Sequence, residues 1–271
     1  MKVNYHTHSR FCDGKGEPRE YVEYAIGHGF SHLGFSGHSP VPFPNDYAIQ
    51  PEHLQEYCDE IRSLKSEYAG RIDIRLGMEI DYIPGLSEDF GKLIDECGLE
   101  YCIGSVHFVS NPEGDPNDLW FIDGPSRDIY DDGIERIFHG DIRKAVTAFF
   151  HQNNEMIERN RPAVIGHFDK IVMHNHDRFF TRDEPWFLNL VYETAELISE
   201  KGIICEINTR GIYKKRSDDY FPSRKAILRL KELGVPVLVS SDAHEPANLD
   251  MFEGAYEYLN GIGYPEIVYE F

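Results

Sequence analysis

Val3-Asn4-Tyr5-His6-Thr7-His8 is a short strand-like run that ends in two histidines. Six later runs share its form. They are Leu33-Gly34-Phe35-Ser36-Gly37-His38, Ile74-Arg75-Leu76-Gly77-Met78-Glu79, Ile103-Gly104-Ser105-Val106-His107, Ala163-Val164-Ile165-Gly166-His167, Ile203-Ile204-Cys205-Glu206-Ile207-Asn208 and Val237-Leu238-Val239-Ser240-Ser241-Asp242-Ala243-His244. Nearly all end in His, Asp or Glu. Side chains at the C-terminal ends of parallel strands converge in space even when far apart in sequence. Neutral imidazoles beside carboxylates suit Zn, Mn or Fe, and a set this large suggests more than one ion.

Between the runs lie helix-like segments: Pro18–Gly29, Pro51–Tyr68, Leu86–Cys97, Asp141–Arg159, Asp183–Lys201, Ser223–Leu233 and Glu245–Leu259. Strand followed by helix, repeated about seven times, predicts a parallel sheet wound right-handedly. The runs are apolar on both faces, as strands covered by helices are. Because the first, last and intervening strands all carry candidate ligands, an open sheet would leave its edges too far apart. The expected fold is therefore an α/β, distorted (β/α)7 TIM-like barrel, with the site at the C-terminal strand ends and residues 1–271 forming one domain. Two stretches break the rhythm. His38–Pro51 holds four prolines and reads as an ordered loop; Asn111–Gly140 is polar, Pro/Gly-rich at first, and reads as a substrate-side loop.

Composition narrows the function. The 271 residues carry 27 basic and 47 acidic side chains, a formal charge of −20. That disfavours binding to nucleic acid or anionic membranes, both of which need basic surface. No window approaches the roughly 18 apolar residues of a membrane span. The chain runs from Met1-Lys2 straight into the first strand, leaving no room for a cleavable signal. The five cysteines (12, 58, 97, 102, 205) form no C-x-x-C pair, and a reducing cytoplasm is the expected location.

His6-Thr7-His8 places two imidazoles on one face of a strand, since side chains alternate with a period of two. Glu79 lies inside Leu76-Gly77-Met78-Glu79-Ile80, where an unpaired carboxylate is costly. His107 and His167 singly fit core histidines, and Asp242 fits a helix cap. It is their joint occurrence at successive strand ends that points to metal.

These motifs resemble the polymerase-and-histidinol-phosphatase (PHP) superfamily across the whole chain. His6-Thr7-His8 with Asp13, Gly34-Phe35-Ser36-Gly37-His38, Glu79, Gly104-Ser105-Val106-His107, Gly166-His167-Phe168-Asp169 and Ser241-Asp242-Ala243-His244 match its signatures. Gly37 departs from the usual Asp. The segments Met78–Gly85, Tyr101–Phe108 and Gly37–Pro42 resemble the histidinol-phosphatase branch in particular. The resemblance implies three divalent ions (Zn, Mn or Fe) held by His6, His8, Asp13, His38, Glu79, His107, His167, Asp242 and His244. One ion would take His6, His8, Glu79 and Asp242; a second Glu79, His107 and His167; a third Asp13, His38 and His244. Catalysis would rest on Glu79, Asp242 and His244 and a hydroxide bridging two ions, attacking L-histidinol phosphate. Arg210 is placed to meet the phosphate, because a guanidinium offers a bidentate fork. Asp123, Tyr213 and Trp120 are candidates for the rest of the substrate, and Asp169, His139 or a metal-bound water for the general acid. The alternatives are a PHP phosphoesterase acting on nucleotides, a metal hydrolase with a carbamylated lysine bridge, and a catalytically dead PHP module. No Lys ends a strand and no ligand position is lost, which weighs against the last two.

Overall fold

The computed structural model describes residues 1–87 and 89–270. Seven parallel strands form one sheet: β1 (Val3–Asn4), β2 (His32–Phe35), β3 (Asp73–Asp81), β4 (Tyr101–Ser105), β7 (Val164–Ile165), β8 (Ile204–Asn208) and β9 (Val237–Ser240), hydrogen-bonded in that order. Between β4 and β7 a small antiparallel hairpin, β5 (Phe108–Ser110) and β6 (Leu119–Phe121), projects over the strand ends. β1 and β9 meet only near their C-terminal ends. There Thr7 bridges Ala243, with His8 N–H donating to the Ala243 carbonyl (2.8 Å) and Ala243 N–H to the His6 carbonyl (3.0 Å). The sheet is thus a nearly closed barrel, seamed at the end that carries the candidate ligands.

Helices cover the outside: α1 (Pro18–Gly27), α2 (Leu54–Glu67), α3 (Phe90–Cys97), α4 (Arg127–Phe138), α5 (Ile142–Asn160), α6 (Pro185–Lys201), α7 (Arg210–Tyr213), α8 (Arg224–Glu232) and α9 (Ala255–Gly261). Local chemistry sets their ends. Asp89 and Asp141 accept backbone hydrogen bonds at the starts of α3 and α5, and Pro stands in the first turns of α1 and α6, as capping rules lead one to expect. The helix expected over Leu86–Cys97 begins only at Phe90, after the Asp89 cap; residue 88 lies outside the described residues. The helix expected over Glu245–Leu259 is a 3₁₀ turn, Pro246–Asn248, followed by the shorter α9. The stretch read as a loop, Asn111–Gly140, holds β6 and the three-turn α4. Its prolines and glycines crowd residues 112–125 and hide the amphipathic run after them.

Three apolar clusters are found among the described residues. The largest lies between sheet and helices. A small one joins Val41, Ala48, Ile83 and Phe108. Another fills the barrel with Val3, Tyr5, Tyr101, Ile103, Val164 and Leu238. Tyr101 is the plug of this inner core. Its ring lies edge-on to Tyr5, centroids 5.8 Å apart, and its hydroxyl donates to the Tyr5 carbonyl at 2.6 Å. Gly34 and Gly77 make room for it: a Cβ at Gly34 would come within 2.3 Å of the hydroxyl oxygen, and one at Gly77 within 2.2 Å of the ring. The period of two along β3 then sends Gly77, Glu79 and Asp81 to the barrel interior and Met78 and Ile80 to the helices.

Candidate metal centre

The C-terminal strand ends bring all nine predicted ligands into one cluster. Glu79 is its centre and is essentially buried. Its Oε1 faces His167 Nε2 (3.0 Å) and His107 Nε2 (3.5 Å); its Oε2 faces His6 Nε2 (3.2 Å), His38 Nδ1 (3.2 Å) and His8 Nε2 (3.5 Å). Ser105 Oγ donates to Oε1 at 2.7 Å. One carboxylate therefore faces five imidazoles from four segments of the chain. Asp242 Oδ1 lies 3.4 Å from His8 Nε2 and 3.3 Å from His244 Nδ1. Asp13 faces His244 Nε2 at 3.0 Å, His8 Nδ1 at 3.6 Å and His38 Nε2 at 3.8 Å.

Four overlapping groups of donor atoms are close enough to share an ion: His8, Asp13, His38 and His244; His6, His8 and Asp242; His6, Glu79 and His167; and His38, Glu79 and His107. His8 thus stands with Asp13 as well as with Asp242. His107 and His167 reach the same Glu79 oxygen but fall in separate groups. The side chains fit divalent metal. His6 Nε2, His8 Nε2, His38 Nδ1, His107 Nε2 and Asp242 Oδ1 are buried and make no hydrogen bond. Buried polar atoms rarely go without one, and here they point at shared centres with the N/O donor set that Zn, Mn and Fe accept.

Electrostatics follow from burial and this crowding. Burial alone would raise the Glu79 carboxyl, but His6, His38 and His107 outweigh it and hold it well below the usual range. Asp242 is held low against burial by His6 and Arg210. Burial pushes His8 and His38 down to about 4, in both cases helped by neighbouring imidazoles. His107 goes the other way: Asp81, Asp123 and Glu79 overcome burial and lift it to about 10.

Over the cluster opens a cavity whose wall adds Tyr47, Phe121, Asp123, Lys170, Arg210 and Arg216 to the ligands. Arg210 Nη1 donates to the Asp242 carbonyl at 2.8 Å and meets His244 Nδ1 at 2.6 Å. Lys170 pairs with Asp123 at 2.9 Å. That pair outweighs burial in drawing the Asp123 carboxyl down to about 2.

Four of the substrate-side expectations need correcting. Trp120 is fully buried and donates to the Tyr130 carbonyl (3.0 Å), so it packs the hairpin onto α4 and does not face the cavity. Tyr213 braces the last strand, its hydroxyl donating to the carbonyls of Ser241 (2.9 Å) and Asp242 (3.1 Å). His139, a general-acid candidate, lies at the end of α4 beside a different cavity with Arg143 and His151. Asp169 does not line the cavity over the cluster; it accepts from Ser223 N–H at 2.8 Å. Cys12 is partly buried with Sγ 3.5 Å from His8 Nδ1. The place where the resemblance expects an Asp is apolar: a Cβ at Gly37 would meet Ile49 at 3.1 Å and Cys12 at 3.3 Å.

Sequence reasoning missed three residues. Glu206 and Asp81 contact candidate-ligand histidines from behind, and Lys170 lines the cavity beside Asp123, which the sequence offers for the substrate. Glu206 carried the same signal as Glu79, a lone carboxylate in an apolar run. Asp81 carried the two-residue spacing from Glu79.

Comparison with known proteins gives a consistent family. The PHP domain profile matches residues 4–210. A Deinococcus radiodurans protein named "Probable histidinol-phosphatase" is 28% identical over 269 residues, spanning 95% of this chain and 92% of its own. The crystal structure of HisK from Listeria monocytogenes superposes with a TM-score of 0.81 at 23% identity, covering 94% of this chain and all of that one. That of histidinol phosphate phosphatase from Lactococcus lactis, complexed with Zn, L-histidinol and phosphate, gives 0.68 at 20% identity over 98% and 95%.

Proposed function

This chain belongs to the PHP domain family, and on that premise we propose that it is a metal-dependent phosphomonoesterase hydrolysing L-histidinol phosphate to L-histidinol and phosphate. The observation that carries the reading is Glu79, one carboxylate facing five imidazoles below a cavity walled by Lys170, Arg210 and Arg216. Relatives named for this activity, alignable along nearly the whole chain, supply the substrate.

His6, His8, Asp13, His38, Glu79, His107, His167, Asp242 and His244 would hold three divalent ions, Glu79 being shared because its two oxygens face different imidazoles. Such ions supply positive charge to the phosphoryl group and acidify water near neutral pH. The remaining chemistry belongs to the chain. Arg210, tied to the Asp242 carbonyl, presents its guanidinium to the phosphoryl oxygens, with Arg216 and Lys170 adding charge. Asp123 holds the Lys170 ammonium in place. Among the described residues, no Ser, Thr or Cys lines this cavity, so attack by water fits better than a hydroxyl or thiol nucleophile.

A single catalytic domain in a reducing cytoplasm completes the reading. The five cysteines are unpaired, and no helix among the described residues is long and apolar enough to cross a membrane. The test is phosphate release from L-histidinol phosphate by metal-reconstituted protein, beside nucleotides and sugar phosphates. Preference for histidinol phosphate is expected. Activity confined to the other esters would discard the substrate, and no release from any ester with metal bound would discard the enzyme.

A further inference from the structure

Glu206 occupies the interior face of β8 and is fully buried. Its two oxygens have four partners from four segments. Oε1 faces His6 Nδ1 at 2.5 Å and accepts from Ser240 Oγ. Oε2 accepts from the His167 backbone N–H at 2.9 Å and from Asn208 Nδ2 at 3.2 Å. The same Asn208 Nδ2 reaches Asp242 Oδ2 at 3.2 Å. An ionised carboxylate only accepts hydrogen bonds. Contact with Glu206 therefore places the proton of neutral His6 on Nδ1 and leaves the lone pair on Nε2, the atom aimed at Glu79. The bond to the His167 amide fixes where the next imidazole begins.

Asp81 is a useful contrast. Both of its oxygens serve one residue: Oδ1 accepts from the His107 backbone N–H at 2.8 Å, and Oδ2 faces His107 Nδ1 at 2.9 Å. The two carboxylates thus orient different ligands behind one cluster.

We infer that Glu206 is a positioning residue that couples the ligands of two ions, setting His6 directly, His167 through its backbone and Asp242 through Asn208, whereas Asp81 sets the single ligand His107. This rests on the ion-binding part of the proposed function and does not depend on which ester is hydrolysed. Carboxylates behind ligating histidines typically change metal affinity by about 10- to 100-fold when removed. Glu206 spans two of the proposed ions, so its loss should weaken both together.

The experiment is zinc retention by the full chain, measured as ions per chain at a series of chelator-buffered free zinc levels, without substrate. Glu206→Gln keeps the shape but exchanges one acceptor oxygen for an NH2 donor, so either the His6 and Ser240 pair or the His167 amide and Asn208 pair loses its acceptor. It should shift two ions to about 10- to 100-fold higher zinc, and raised zinc should restore them. Asp81→Asn should shift one. Wild-type retention in E206Q, or equal numbers of ions shifted in E206Q and D81N, overturns the inference. If E206Q does not fold, Ser240→Ala takes one hydrogen bond from Glu206 without altering charge. Weaker retention of the same two ions then supports the coupling, and unchanged retention overturns it. Because no ester is present, failure here leaves the proposed reaction standing, and the converse also holds.

Discussion

Gly77→Ala is a one-carbon change inside the barrel, and the structure sets its size. The new Cβ would lie 2.2, 2.3 and 2.7 Å from three ring atoms of Tyr101. No rotation of a methyl relieves that, so the Tyr101 ring must move. It is fixed on its far side by its hydrogen bond to the Tyr5 carbonyl, one residue before His6. Overpacking a core costs about 1–3 kcal/mol. Leaving a buried carbonyl without its donor costs about 1–3 kcal/mol more. Replacing Gly by Ala within a strand returns only about 0.5–1 kcal/mol of backbone entropy. The clash wins, with a net loss near 3 kcal/mol. For a chain of this size about 2–4 °C of melting temperature goes with each kcal/mol, so a fall of roughly 6–12 °C is expected in thermal unfolding at fixed metal. Tyr101→Leu should itself be destabilising, yet G77A/Y101L should lose less than the sum of the single variants, because the ring that clashes is gone. A loss under about 1 kcal/mol in G77A, or strict additivity in the pair, would refute the packing account.

Three further outcomes are expected. Glu79→Gln should lower kcat by at least about a hundredfold while circular dichroism stays native; near-normal turnover would sink the shared-ligand assignment. Arg210→Ala should raise KM for the phosphate ester by about tenfold or more, since charge-assisted hydrogen bonds contribute about 1.5–3 kcal/mol, and an unchanged KM in steady-state kinetics would remove it from phosphate binding. Asp169, raised by burial to about 7, binds a proton in the folded state over a range where the unfolded chain has released it near 3.9. Stability from this group is therefore full below about pH 4 and is lost as pH rises through 7. Urea unfolding from pH 4 to 8 should show a flatter profile for Asp169→Asn than for wild type, and parallel profiles would count against it.

The barrel and its candidate ligands were legible because buried parallel strands read as short apolar runs, and a charged or imidazole residue ending most runs stands out. Glu79 and Asp242 were visible for that reason. The residues behind them were harder to see. Glu206 lies in a run of the same look, but its partners, His6 and Ser240, come from strands 200 and 34 residues away, and only the barrel's closure joins them. Lys170 follows His167 by three residues, and its burial depends on Asp123, delivered by a hairpin that the sequence shows only as polar loop. Trp120 illustrates the opposite error. A large aromatic in a loop suggests a ligand platform, yet its indole found a carbonyl on α4. There Gly133 gives it space, since a Cβ would lie 1.9 Å from the ring.

The seam between Thr7 and Ala243 has a meaning for how the chain becomes active. The contact joins segments about as far apart in sequence as the chain permits, and loop closure over such a span is entropically the slowest kind to form. During synthesis His6 and His8 leave the ribosome well before Asp242 and His244, and they cannot meet them until the more than 200 residues between have followed. Any shortened product of translation would thus carry exposed histidines without the carboxylate that completes them. Ions bridging the seam would tie a loop of some 235 residues, which in the chain-entropy picture removes about 5 kcal/mol of freedom from the unfolded state. Assembly of the centre therefore waits on the segment that carries Asp242 and His244.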